Sequence, residues 1–363
     1  MALVFHIVAI MLTMSSFVYC FLFVDVEGKG KRSAVKRFIY RTCPEACLSV
    51  LVKLGCEPVA RGMRQWALYL CYSANPMIQI VYLVMAVGGY YLWVVYGFCH
   101  LPNTYRSEVH RYISIPLIAA CYWSYYKACT TDPGYLNKDT NRPQLERAMK
   151  RYDCDNMLFS PVNWCETCNI PKPARSKHCG LCNMCCEKMD HHCVWVNTCV
   201  GLHNYKYFLL FLLLHTVICL YGIWVAYGIF NHLIDENDMW NQTYMDPSGK
   251  KFPASLGLVI SNLVRANEIF SIACFLCCTV TVMLFFFLSF HTKLIMADMT
   301  TNEYSKHGSI QKFLEKKLSF LKRWEDSRLA KKPFKPSAKA LEGYIVRGDL
   351  KVDMSDADLT KVR

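Results

Sequence analysis

Residues 165–199 read CETCNIPKPARSKHCGLCNMCCEKMDHHCVWVNTC, and eight of the chain's 21 cysteines fall within them. Disulfide scaffolds are short secreted chains, whereas close Cys and His doublets inside a larger chain point to metal in a reducing compartment. The doublets Cys165-x2-Cys168 and Cys179-x2-Cys182 each let two thiolates from one tight turn reach an ion at about 2.3 Å, and zinc takes four such ligands in a tetrahedron. The candidate ligands are Cys165, Cys168, Cys179, Cys182, Cys185, Cys186, Cys193 and Cys199, with His178, His191 and His192. Two closed sites need eight of these eleven, and spacing alone does not say which eight. A spare cysteine beside a spare histidine is what nucleophilic catalysis uses.

Outward from this block the chain is apolar. Of 363 residues 53% are hydrophobic and only 19% charged, which excludes a disordered or fibrous protein. Mean hydropathy is +0.16, so strongly apolar stretches are diluted by a sizeable polar part. The net charge of +13 fits anionic lipid or phosphate-bearing partners. Stretches 2–24, 77–99, 207–230 and 269–290 are each long enough to cross a bilayer as a helix, for which about 20 residues suffice. A fifth, 112–131, is weaker because it holds Pro116 and Lys127, but Lys127 lies near one end and can snorkel. The first stretch lacks the basic flank of a signal peptide and is read as a retained span. Lys29, Lys31, Arg32, Lys36, Arg37 and Arg41 follow it, and the positive-inside rule keeps that cluster cytosolic.

Threading from there gives an N-terminal span (1–24), a basic cytosolic loop (25–76), two spans with a short lumenal loop (77–131) and a cytosolic cysteine-rich domain (132–206). A span (207–230), a lumenal loop (231–268), a last span (269–290) and a cytosolic tail (291–363) complete it. Asn241-Gln242-Thr243, a glycosylation acceptor, falls in the lumenal loop. From Tyr304 on, the tail holds 15 Lys plus Arg against 8 Asp plus Glu, as a cytosolic end should. No tandem repeat or low-complexity tract is expected.

Asp190-His191-His192-Cys193 within this block resembles the DHHC protein S-acyltransferases, the integral-membrane palmitoyltransferases. The likeness includes Lys172-Pro173-x-Arg175, Trp195, Asn197, Gly201, Asn204 and Phe208. Asp132-Pro133-Gly134 and Thr300-Thr301-Asn302-Glu303 stand where the family has its DPG and TTxE motifs. Val194 departs from the family's usual proline, which implies altered loop rigidity. The resemblance implies an all-α polytopic membrane protein, a four-helix transmembrane core plus an extra N-terminal span, with a small cytosolic two-zinc domain. It assigns one structural zinc to Cys165, Cys168, His178 and Cys185 and the other to Cys179, Cys182, His192 and Cys199. It leaves Cys193 as nucleophile, His191 as its base and Asp190 as the group that orients His191, with Thr301 supporting the active site.

The reaction so implied passes a fatty acyl group from acyl-CoA, such as palmitoyl-CoA, through Cys193 to cysteines of client proteins. Lys172, Arg175 and Lys177 are the candidate cations for the CoA phosphates. The expected partners are the bilayer, acyl-CoA and clients with membrane-proximal cytosolic cysteines, with no nucleic acid. The layout is closest to the family's endoplasmic-reticulum members; no retrieval tetrapeptide closes the tail, which leaves the Golgi as the alternative. The rival readings are an inactive scaffold of the same fold, a RING-like ubiquitin ligase and a transporter. A RING-like ligase needs no Asp-His-His-Cys, and a transporter does not explain the spare Cys193.

Overall fold

The computed structural model describes residues 57–306, apart from 74, 141, 155–158, 160–162 and 246–248, together with 52, 53, 308, 315, 318, 319 and 322. The expected N-terminal span, the basic cluster at 29–41 and most of the tail lie outside the described residues. The chain divides into units 1–303 and 304–363, and the elements below belong to the first. Among the described residues its helices are α1 (Glu57–Tyr72), α2 (Met77–Tyr96), α3 (Val109–Thr130), α4 (Arg142–Arg151), α5 (Tyr205–Glu236), α6 (Leu256–Ala266) and α7 (Glu268–Met296). Among the described residues three helices are fit by length and composition to cross a membrane: Met77–His100, Tyr205–Glu236 and Glu268–Met296. The expected span at 112–131 is a helix, α3, 22 residues long and continuous through Pro116. It is less apolar than the other three, carrying His110, Arg111, Pro116 and Lys127. Residues 57–72, part of the expected cytosolic loop 25–76, are helical.

The long helices form one bundle, with α5 packed between α3 and α7 and α2 against α7. Two apolar clusters tie its ends. One joins Leu101, Val225, Ile229, Val259, Leu263 and Phe270, with Trp93 and Tyr96 against it. The other joins Tyr125 and Ala128 near the end of α3 to Phe208, Phe211 and Leu212 at the start of α5, and it also takes in Cys193, Val196 and Val200. Phe287 and Leu288, late in α7, and Tyr82, early in α2, pack on the same cluster. The cysteine-rich block therefore caps the bundle end where α2 and α5 begin and α3 and α7 finish.

The block corrects the all-α expectation. It is built of three antiparallel hairpins, β2–β3 (Trp164–Cys165 with Ile170–Pro171), β4–β5 (Lys177–Cys179 with Met184–Cys186) and β6–β7 (His191–Cys193 with Thr198–Val200). A short β1 (Tyr135–Leu136) pairs with β5, and β8 (Thr243–Met245) pairs with β9 (Lys251–Pro253) before α6. The hairpins also correct the expectation of no repeat. Cys165 pairs with Ile170, Cys179 with Met184 and Cys193 with Thr198, each pair 14 residues after the one before. Asn169, Asn183 and Asn197 recur at the same interval, each with φ between 51° and 55°. That left-handed turn is one asparagine tolerates better than most side chains, because its short amide bonds locally.

Two joints fix the block to the bundle. Asp132 Oδ1 accepts the N–H groups of Gly134 (2.9 Å) and Tyr135 (2.9 Å), and Gly134 at φ +103° turns the chain from α3 into β1. Buried Asn204 accepts from Gly201 N–H (2.9 Å) and donates to the Cys199 (2.9 Å) and Ala128 (3.3 Å) carbonyls, joining β7, α3 and the start of α5. Gly201 is needed for space, since a Cβ there would lie 2.4 Å from Cys186 Sγ and 2.6 Å from the Pro133 carbonyl. Nothing lies within 4 Å of a Cβ at Gly180. Gly201→Ala should therefore lower the thermal midpoint in detergent by an amount equivalent to about 2–4 kcal/mol, with Gly180→Ala within about 0.5 kcal/mol of the parent. Equal midpoints for the two variants would show that the joint does not carry this load.

Candidate active site and metal centres

Each hairpin's first strand sends neighbouring side chains to opposite faces, as any strand must. His178 thus joins one group of ligand atoms and Cys179 the next. The first group is Cys165, Cys168, His178 and Cys185; the second is Cys179, Cys182, His192 and Cys199; within each, all ligand atoms lie within 4.8 Å of one another. His178 Nδ1 is 3.6, 3.3 and 3.9 Å from the sulfurs of Cys165, Cys168 and Cys185. His192 Nδ1 is 3.6, 3.3 and 3.8 Å from those of Cys179, Cys182 and Cys199. Ligands about 2.3 Å (sulfur) and 2.0–2.1 Å (nitrogen) from a central ion stand about 3.6 Å apart on the edges of a tetrahedron. The donor set, three thiols and one imidazole in each group, is the closed structural kind, with no position left for water.

The repeat accounts for the sulfur left over. Cys165, Cys179 and Cys193 hold equivalent places in the three hairpins. The first two have their doublet partner (Cys168, Cys182), their histidine (His178, His192) and a closing cysteine (Cys185, Cys199). At the matching positions after Cys193 stand Val196, Lys206 and Leu213. A third centre cannot close. Cys193 instead lies 6% exposed in the apolar cluster with Tyr125, Ala128, Val196 and Phe208.

His191 and Cys193 are two residues apart on one strand and share a face, opposite to His192. The His191 ring is hydrogen-bonded through Nδ1 to Asp190 Oδ2 at 2.7 Å and shares its strand face with Cys193. Asp190, 2% exposed, also accepts Thr301 N–H on Oδ1 (2.7 Å) and the Thr301 hydroxyl on Oδ2 (2.7 Å). Burial alone would raise the Asp190 carboxyl, but the bonds from His191 and Thr301 outweigh it and hold it below the usual range. Burial likewise opposes a charge on His191, yet Asp190 and Cys193 push its pKa up to about 10. A histidine that keeps its proton on the strand face of Cys193 is the partner a reacting sulfur needs. Phe208 meets the His191 ring edge-on at 5.3 Å.

Arg175 is placed differently from the expectation. Its Nε and Nη2 donate to the two Glu303 carboxylate oxygens at 2.7 Å each. Nη2 also donates to the Asp298 carbonyl (2.7 Å) and Nη1 to the Asp298 carboxylate (3.1 and 3.2 Å). Buried and fully engaged, it is a clamp between the block and the end of α7, not a cation free for phosphate. Lys177 is exposed and Lys172 half-buried. Cys186, fully buried, lies against the Pro133 carbonyl and belongs to neither quartet. Val194, 40% exposed, follows Cys193 at the hairpin tip.

Sequence reasoning missed Tyr135. Its hydroxyl donates to Cys182 Sγ (3.0 Å) and accepts from Cys199 N–H (3.2 Å), so it orients two ligands of the second quartet. Its place directly after Asp132-Pro133-Gly134 was the available signal. Asp298, at φ +43° just past α7, was also missed; it ends the helix and accepts from both Arg175 and Lys188.

A family model described as DHHC palmitoyltransferase matches residues 159–308. Palmitoyltransferase swf1 of Schizosaccharomyces pombe is 34% identical over 251 residues, which cover 69% of this chain and 64% of that protein. Palmitoyltransferase ZDHHC4 of Bos taurus is 30% identical over 255 residues, 69% of this chain and 72% of that protein. Palmitoyltransferase swf1 of Emericella nidulans is 28% identical over 315 residues, 84% of this chain and 72% of its own length.

Asp190 supports the charge on His191, so Asp190→Asn should lower the histidine's proton affinity and weaken its support of the attacking sulfur. Peptide-resolved alkylation of Cys193 by iodoacetamide should then slow at pH 7 by about tenfold, and its rise with pH should shift to the alkaline side. Superimposable pH profiles for parent and variant would remove Asp190 from this role.

Proposed function

The chain belongs to the DHHC palmitoyltransferase family, and from that premise we propose how it works as a protein S-acyltransferase: through a thioester on Cys193. The Cys193 thiolate attacks the carbonyl carbon of an acyl-CoA, the carbon–sulfur bond to CoA breaks, and the departing CoA sulfur takes the proton held on His191. In the second step a client cysteine gives its proton to His191 and attacks the same carbonyl carbon, and Cys193 leaves as the thiolate. Asp190 keeps the imidazole oriented and stabilises its charge in both steps, the division of work seen in other triads. Thr301 in turn fixes Asp190.

The observation that carries this reading is the position of Cys193: outside both ligand quartets, two residues from His191 on one strand face and set in an apolar cluster at the bundle end. An acyl chain can lie among those apolar side chains while CoA stays in water. Burial gains about 0.8 kcal/mol per CH2 from water but little for a chain that arrives from lipid, so the helices select chain length by shape. Lys172 and Lys177 are the cations left for the CoA phosphates. Two zinc ions, one on each Cys3His quartet, hold the three hairpins together and supply no chemistry to the reaction.

On this reading α3 crosses the bilayer beside α2, α5 and α7, an N-terminal span precedes them, and the cysteine-rich block and tail face the cytosol of an endomembrane, the endoplasmic reticulum in preference to the Golgi. The clients are proteins that present cysteines at that cytosolic face. Incubation of the purified full chain with labelled palmitoyl-CoA tests the proposal. The parent should acquire label that neutral hydroxylamine removes, and Cys193→Ser should acquire under a tenth as much; equal labelling of the two would refute the intermediate.

A further inference from the structure

Helix α1 presents an apolar face that the protein does not cover. With 100° between successive residues, Val59, Met63 and Trp66 fall in one arc and Tyr69 at its edge, while Arg61, Arg64 and Gln65 fall opposite. The exposures are 54% for Val59, 50% for Met63, 59% for Trp66 and 44% for Tyr69. Trp66 and Tyr69 stand edge to face, 6.0 Å between ring centres, and so form one continuous patch. In a helix surrounded by water such a stripe would be turned inward.

What covers it follows from where the helix ends. Asn75, 7% exposed, donates to the Tyr69 carbonyl (2.9 Å) and accepts from Met77 N–H (3.2 Å). It thereby ties the last turn of α1 to the first residue of α2, an apolar helix long enough to span. The end of α1 therefore lies at the boundary where α2 enters hydrocarbon. Tryptophan and tyrosine favour that boundary, and arginines on the far side keep the opposite face in water. The connector Ser73–Pro76 also borders the block, since Ser73, Asn75 and Ile78 line a small pocket with His192 and Val194.

We propose that α1 lies in the bilayer surface as an interfacial helix, with Val59, Met63 and Trp66 among the lipid acyl chains, and that it sets the height of the Cys193 hairpin above the hydrocarbon. The first part rests on α2 as a span and not on the acyl chemistry. A photoreactive benzophenone residue in place of Met63 or Trp66, or of Arg61 or Gln65, in the full chain reconstituted in phosphatidylcholine nanodiscs, tests it by mass spectrometry. Lipid adducts should be at least tenfold more abundant from the first pair. Equal yields from both faces, or adducts from Met63 and Trp66 positions joined to protein instead of lipid, would overturn the proposal.

The second part is tested by Trp66→Asp against Trp66→Phe in the same nanodiscs. Acylation of Cys193 should fall about tenfold in the first and stay within twofold of the parent in the second, with both thermal midpoints unchanged. Full acylation in Trp66→Asp would sever α1 from the hairpin. The adduct pattern is read without any acyl donor, so it stands or falls separately from the thioester on Cys193.

Discussion

Closure of two ligand quartets by three hairpins is the constraint from which the rest of the block follows. Because neighbouring strand residues face opposite ways, His178 and Cys179 serve different quartets, and Cys185 and Cys199 close each quartet from the hairpin that follows. Every hairpin therefore bridges to its neighbour. The third is held by His192 and Cys199 on one side and has no metal to serve on the other. The side left over carries His191 and Cys193, pinned by coordination next door but free in themselves. In the proposed mechanism this is the pair that reacts, and its neighbours in the hairpin, His192 and Cys199, belong to the second quartet.

A second lock comes from far along the chain. After α7 the backbone turns at Asp298, and Thr301 and Glu303 return to Asp190 and Arg175, more than 100 residues earlier in sequence. A two-point bond between guanidinium and carboxylate, largely buried, is stronger and more directional than a surface pair, and removing one partner costs about 3–5 kcal/mol. Arg175 stays charged under this load, since its bond to Glu303 pushes its pKa further up. Helix α7 and the His191–Cys193 hairpin are consequently one mechanical unit.

Much of this was legible in the sequence, but not all of it for the same reason. Doublet spacing announced metal and the surplus of ligands announced a spare thiol, yet spacing left the quartets open, and the likeness of Asp190-His191-His192-Cys193 to a known family supplied them. The 14-residue period went unread because its third copy has lost the residues that draw attention: Val196, Lys206 and Leu213 stand where cysteine and histidine stood before. Arg175 was read as a free cation because no local pattern reveals Glu303 as its partner. Helix α1 went unread because residues 25–76 were taken whole as the segment behind the basic cluster at 29–41, and the period of Val59, Met63 and Trp66 was passed over. Stretch 112–131, expected as a span, forms helix α3 and packs on α5, but its composition falls short of the three helices fit to cross a membrane.

The central claim is that Cys193 is the sulfur that the metal centres leave out. X-ray absorption at the zinc edge, combined with elemental analysis of the purified chain, tests it most directly. The account predicts two zinc ions per chain, each with three sulfur neighbours and one nitrogen, and the same count and spectrum after Cys193→Ser. Loss of an ion, or of sulfur from the coordination shell, in that variant would place Cys193 on the metal and contradict the account.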